Sequence, residues 1–125
     1  MKNVTGGCYC GNIRYQFAVK PKLKVNCHCN NCRRAIGAQS VAWIIINNST
    51  FQWTKGSPVR YKTETEAWRT FCSGCGSSLT YESPKRTDDI DITVGSLDSP
   101  EDFPPTDDAY LDSRLSWVAQ VDQHG

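Results

Sequence analysis

Three cysteines fall within six residues in Cys27-His28-Cys29-Asn30-Asn31-Cys32, and this triplet restricts the fold more than any other stretch of the chain. The other four form two tight pairs, Cys8-x-Cys10 and Cys72-x-x-Cys75, one on each side of it. Seven therefore reads as three plus four. The split has chemical meaning, because structural zinc is closed by four protein ligands, whereas catalytic zinc is held by three and keeps a position for water or substrate.

A disulfide framework is the competing reading of seven cysteines in 125 residues. The count is odd, Met1 to Gly7 contains no apolar signal core, and the pairs are too tightly spaced to staple distant elements. Metal binding in a reducing compartment fits better. No later stretch approaches the roughly 20 apolar residues that span a bilayer, so the chain is expected to be cytoplasmic with no membrane partner. The formal net charge is +1, with 14 basic and 13 acidic side chains interspersed, which supplies no field to draw the protein onto nucleic acid. At this length the expectation is one domain over 1–125, able to bury about two thirds of its unfolded surface.

Strand periodicity runs through most of the sequence. Ile13, Tyr15 and Phe17 alternate with Asn12, Arg14 and Gln16, and Pro21 ends that segment. Lys22 to Val25 is a weaker candidate leading into the triplet. Arg33 to Ile36 ahead of Gly37 predicts a single helical turn with Gly37 as its stop. Val41 to Ile46 is a near-continuous β-rich run, and the turn cluster Asn47-Asn48-Ser49 predicts a hairpin back into Thr50 to Trp53. Val59 to Lys62 and Ala67 to Phe71 form a predicted strand pair, followed by Ser78 to Tyr81 and by Ile90 to Val94. The segment from Ser99 to Pro105, rich in proline and acid, suits an ordered loop or cover, and Leu111 to Val121 has too few periodic apolar positions to assign. Six to eight short strands tied together by metal, an all-β class, is the sum.

In Cys-x-Cys on an extended backbone, residues i and i+2 project to one side. That places Cys27 and Cys29 on one ion and turns His28 away, while Cys32 curls back to complete the triplet. Two uses of the remaining thiols are open. Cys8, Cys10, Cys72 and Cys75 can form a four-thiolate structural site, or Cys29-x-x-Cys32 can pair with Cys72-x-x-Cys75 as a zinc ribbon that leaves Cys8, Cys10 and Cys27 without a role. The first leaves no cysteine unexplained. It would give one closed site and one site with room for an exogenous thiol, which zinc would activate toward a small electrophile such as an aldehyde.

Gly6-Gly7-Cys8-Tyr9-Cys10-Gly11, Cys27-His28-Cys29-Asn30-Asn31-Cys32-Arg33-Arg34, Phe71-Cys72-Ser73-Gly74-Cys75-Gly76 and Gly95-Ser96-Leu97-Asp98, in this order, resemble the glutathione-dependent formaldehyde-activating enzyme family, which includes centromere protein V. The resemblance spans about residues 5 to 118, with Ser116-Trp117 a weak final match. It implies a β-tent fold of several short antiparallel sheets with zinc knuckles and two zincs per chain. The implied structural zinc sits on Cys8, Cys10, Cys72 and Cys75, and the implied catalytic zinc on Cys27, Cys29 and Cys32. It also implies carbon–sulfur lyase chemistry, the reversible joining of glutathione and formaldehyde into S-hydroxymethylglutathione. Where many members have a histidine before the closing tryptophan, this chain reads Asp108-Ala109-Tyr110-Leu111. A second reading, from a different class, is a non-catalytic zinc-stabilised protein-binding module, since relatives of this fold include proteins that bind small GTPases.

Other residues carry weaker expectations. Trp43, Trp53, Trp68 and Trp117 suit core positions before a substrate wall. Arg33 and Arg34 follow the triplet directly, and the guanidinium is suited to bidentate contact with a carboxylate of a glutathione-like ligand. Asp98 is expected to cap or turn the chain, and His124, one residue from the C-terminus, to be disordered.

Overall fold

Alternation of apolar and polar side chains leaves a strand with one face to bury, and in this chain two sheets bury those faces against each other. The computed structural model describes residues 2–121, so His124 lies outside the described residues. Its strands are β1 (Val4–Gly7), β2 (Arg14–Phe17), β3 (Leu23–Cys27), β4 (Val41–Asn47), β5 (Gln52–Lys55), β6 (Val59–Lys62), β7 (Trp68–Phe71), β8 (Ser78–Glu82), β9 (Asp89–Thr93) and β10 (Asp107–Ala109). One α-helix, α1 (Asn30–Ile36), and four 3₁₀ turns complete the described elements. The architecture is all-β. Among the described residues no helix is long and apolar enough to cross a membrane.

A small sheet has the order β1-β2-β5, and a larger one the order β10-β3-β4-β9-β8-β7-β6. Every pairing is antiparallel except β10 with β3, which runs parallel with Asp107, Asp108 and Ala109 opposite Val25, Asn26 and Cys27. That one parallel edge departs from the all-antiparallel expectation. The main core lies between the sheets: Ile13, Tyr15 and Phe17 from the small one meet Ile44, Ile46, Leu79, Ile90 and Ile92 from the large one. A smaller cluster around Cys27, Val41 and Trp43 lies beside it on the sequence of β3 and β4.

The hairpin predicted from Val41–Ile46 into Thr50–Trp53 does not form. β4 is flanked by β3 and β9, and β5 crosses to pair with β2 in the other sheet, Tyr15 facing Trp53. The physical reason is burial. β4 is buried or half-buried along its length and needs a covered neighbour on each side, while Phe51 and Trp53 reach the main core only by packing on Tyr15, with ring centroids 5.5 and 6.0 Å away. The pairing of β6 with β7 follows the predicted one.

Candidate metal centres and an adjoining cleft

Two turns of the same design build the four-cysteine cluster. After β1 the Cys8 N–H donates to the Ile13 carbonyl, and after β7 the Cys72 N–H donates to the Ser77 carbonyl, 3.1 and 3.0 Å. In each turn the second cysteine is followed by a glycine with positive φ, Gly11 at 81° and Gly76 at 80°, a conformation that favours glycine. Backbone N–H groups of Ile13 and Gly74 donate to Cys8 Sγ and Cys72 Sγ at 3.2 and 3.3 Å, which suits sulfur carrying negative charge. The two turns are locked together by Tyr9 N–H donating to Ser77 Oγ, 2.9 Å.

The ligand atoms of Cys8, Cys10, Cys72 and Cys75 all lie within 4.8 Å of one another, and so do those of Cys27, Cys29 and Cys32. All seven cysteines are free thiols. Sulfur separations of 3.6 Å for Cys8 to Cys10, 3.7 Å for Cys10 to Cys72 and 3.5 Å for Cys27 to Cys29 approach the edge of a tetrahedron with 2.3 Å metal–sulfur bonds, about 3.8 Å. Either cluster could hold a metal ion. The zinc-ribbon pairing of Cys29 and Cys32 with Cys72 and Cys75 does not occur, because those pairs belong to different clusters.

The three-cysteine cluster is assembled locally. Cys27 is the last residue of β3, Cys29 is the N-cap of α1, and Cys32 lies in its first turn, donating its N–H to Cys29 Sγ at 3.2 Å. The helix runs a full seven residues rather than one turn, and it stops where expected, with Gly37 at φ 74° donating to the Arg33 carbonyl. Hydrogen bonding from Cys27, then from Cys29 and the Arg69 guanidinium, holds the Cys32 thiol down to about 5 against its burial. The same bond, with burial, pushes Cys27 up. In the other cluster the Ser77 hydroxyl and backbone hold Cys75 down to about 5. Each cluster thus has a thiol ready to ionise, as metal ligation requires.

His28 turns away from the thiols and is fully buried. Its Nε2 lies 2.7 Å from Asp108 Oδ1, and its backbone N–H donates to the Ala109 carbonyl. Asp108 is therefore an inward-facing partner of the cysteine loop. Sequence reasoning noted that position only for the histidine it lacks, since no local pattern shows that β10 lies beside β3.

On the far side of the cluster a cleft of about 540 Å³ opens between α1 and strands β6 to β8. Arg34, Trp43, Tyr61, Glu64, Arg69 and Tyr81 are among its walls. Arg69 joins the cleft to the thiols: its Nη2 is 3.8 Å from Cys32 Sγ and its guanidinium lies 4.7 Å over the Tyr81 ring. Neither Arg34 nor Arg69 has a carboxylate partner among the described residues. Arg33, by contrast, donates to Asn30 Oδ1 and does not line the cleft. Of the tryptophans, Trp43 lines the cleft, Trp53 packs in the main core, Trp68 lies under Arg60 and Trp117 is 69% exposed. Asp98 ties the ends of β1 and β2 together through Thr5 and Arg14.

Fold and site together define a small all-β protein with two thiol clusters, one on turns from both sheets with Cys8 and Cys72 buried and Cys10 exposed, and one beside a cationic cleft. The profile of the family described as glutathione-dependent formaldehyde-activating enzyme matches residues 3–113, and the chain belongs to that family. Among solved structures, a Rhodobacter sphaeroides protein determined as a structural-genomics target is similar at 22% identity and a TM-score of 0.66, over 78% of this chain and 93% of that one. That likeness extends to the fold.

Proposed function

We propose that the chain is a zinc-dependent carbon–sulfur lyase that joins a glutathione-like thiol to a small aldehyde, or releases the aldehyde from the adduct. In this reading Cys27, Cys29 and Cys32 hold the catalytic zinc and Cys8, Cys10, Cys72 and Cys75 the structural one, within a single domain. The observation that carries it is that the three-cysteine cluster, and not the four-cysteine one, meets the cleft through Arg69. Donor chemistry fits zinc, since both sets are thiolate only and soft ligands favour it. Zinc, when bound, supplies a Lewis acid that lowers the pKa of a thiol.

The chain's own residues supply the rest. Arg69 sets a fixed cation between the cluster and the cleft, held by Tyr81, where it favours ionised sulfur and offsets charge developing on an aldehyde oxygen. As the sulfur–carbon bond forms, the carbonyl π bond breaks, its electron pair passes to oxygen, and water supplies the proton. Arg34, exposed at the cleft, receives a carboxylate of the thiol, and Trp43, Phe71 and Tyr81 provide apolar wall. Asp108 faces His28 rather than the cleft, so the missing histidine at this segment does not argue against glutathione. In this reading the protein works in a reducing compartment, the cytoplasm, which suits seven closely spaced thiols.

Cobalt substitution followed by glutathione titration tests the reading. The expected result is two metal ions per chain and a cobalt–thiolate absorption that changes as glutathione is added. No change with any thiol would overturn it.

A further inference from the structure

The contact between His28 and Asp108 is the most deeply buried pairing of a basic side chain with a carboxylate among the described residues, with side chains 0% and 5% exposed. Neither residue belongs to either thiol cluster, and neither lines the cleft. Asp108 spends both carboxylate oxygens inward: Oδ1 faces His28 Nε2 at 2.7 Å and Oδ2 accepts the Val121 N–H at 2.8 Å. A carboxylate only accepts, so Nε2 carries the proton, and His28 Nδ1 is left buried with no partner. An orphaned buried nitrogen is costly to keep. The ring is held in that position by the one strong bond it makes.

What the bond fixes is the backbone between two thiols. His28 is the middle residue of Cys27-His28-Cys29, and its N–H donates to the Ala109 carbonyl at 3.0 Å, so ring and main chain are both tied to β10. The parallel register sets Ala109 opposite Cys27 and Asp108 opposite Asn26. The direction in which Cys27 and Cys29 project is thus set from outside the loop, by a strand 80 positions later in the chain.

We propose that Asp108 is a positioning residue for the three-cysteine cluster, acting through His28 to hold Cys27 and Cys29 in the conformation in which they share one ion with Cys32. The proposal stands on the loop geometry and does not depend on the lyase reading. Partners of this outer kind change metal affinity by about 10- to 100-fold when removed, and the lower figure is expected here because His28 is not itself in the cluster.

The test uses the four-cysteine cluster as an internal control. Zinc-loaded full-length protein is exposed to a chelator together with iodoacetamide, and modification at each cysteine is followed by peptide mass spectrometry. Asp108→Ala should speed modification of Cys27, Cys29 and Cys32 by about tenfold and leave Cys8, Cys10, Cys72 and Cys75 at the wild-type rate. Asp108→Asn keeps an acceptor oxygen for the His28 N–H and should return most of the protection. Unchanged rates in the triplet, or equal acceleration at all seven cysteines, would overturn the proposal. If Asp108→Ala does not fold, Asp108→Asn decides alone: a rise of a few fold confined to the triplet supports the proposal, and a rise at all seven or at none overturns it.

Discussion

The four-cysteine cluster joins residues 62 positions apart in the chain, whereas the three-cysteine cluster is drawn from six consecutive ones. Cys8 and Cys72 belong to the main core and come from turns attached to different sheets. Cys29 and Cys32 pack at the margin of the smaller core, with a cationic cleft beside them. Closing a long loop removes much entropy from the unfolded chain, and closing one of six residues removes little. The same side chain therefore serves stability in one place and is free for reactivity in the other.

That contrast can be broken most directly by removing one thiol from each cluster. Cys72→Ser should cost ~4 kcal/mol or more of unfolding free energy, as loss of a structural metal does, measured by urea denaturation. An equal loss in Cys29→Ser would erase the distinction. The expectation for Cys29→Ser is a stability within about 1 kcal/mol of wild type, because serine still caps α1, together with at least a hundredfold loss of glutathione-dependent formaldehyde turnover, ~2.7 kcal/mol on the barrier, followed by NMR.

Two further substitutions sharpen it. Arg69→Leu should raise the KM for thiol about tenfold, as expected for one lost charged hydrogen bond, while Arg33→Leu, outside the cleft, should leave it near the wild-type value. The smallest effect lies at Asp98, on the four-cysteine side. Arg14 and Thr5 hold its carboxyl below the ordinary value of 3.8, so its contribution is fully present above that value and is lost as the pH falls below it through the lowered one. The pair is partly exposed, so Asp98→Asn should cost only about 0.5 kcal/mol at pH 7, and the difference from wild type should shrink as the pH is taken below 3.8, read as unfolding free energies across that range.

The thiol clusters were legible because ligand spacing is a local property: Cys-x-Cys and Cys-x-x-Cys constrain the backbone within a few residues. Alternation at Ile13, Tyr15 and Phe17, and again at Ile90 and Ile92, likewise reports a buried face without reference to a partner. What the chain's pattern does not contain is which strand lies next to which. Turn residues at Asn47-Asn48-Ser49 point to a hairpin, yet burial of β4 on both sides decides the pairing. β10 is three residues of Asp107-Asp108-Ala109, with no apolar alternation at all, and it exists because the edge of β3 accepts it. Arg69 sits in a strand that was legible, but its contact with Cys32 joins positions 37 residues apart in the chain, and nothing local announces it.

The two ends of that large sheet also differ in how they meet solvent. At one end β10 covers β3 with a short, doubly acidic segment. At the other, β6 is exposed along its whole length, and Arg60 and Lys62 lie over the Trp68 ring at 4.1 and 5.7 Å. An open edge offers unpaired backbone groups to any passing strand, and two cations held in place there repel a second copy of the same edge. Arg60, and Lys62 beside its partner Glu66, thus give this edge charged side chains that disfavour pairing with a second copy, at a place remote from either thiol cluster.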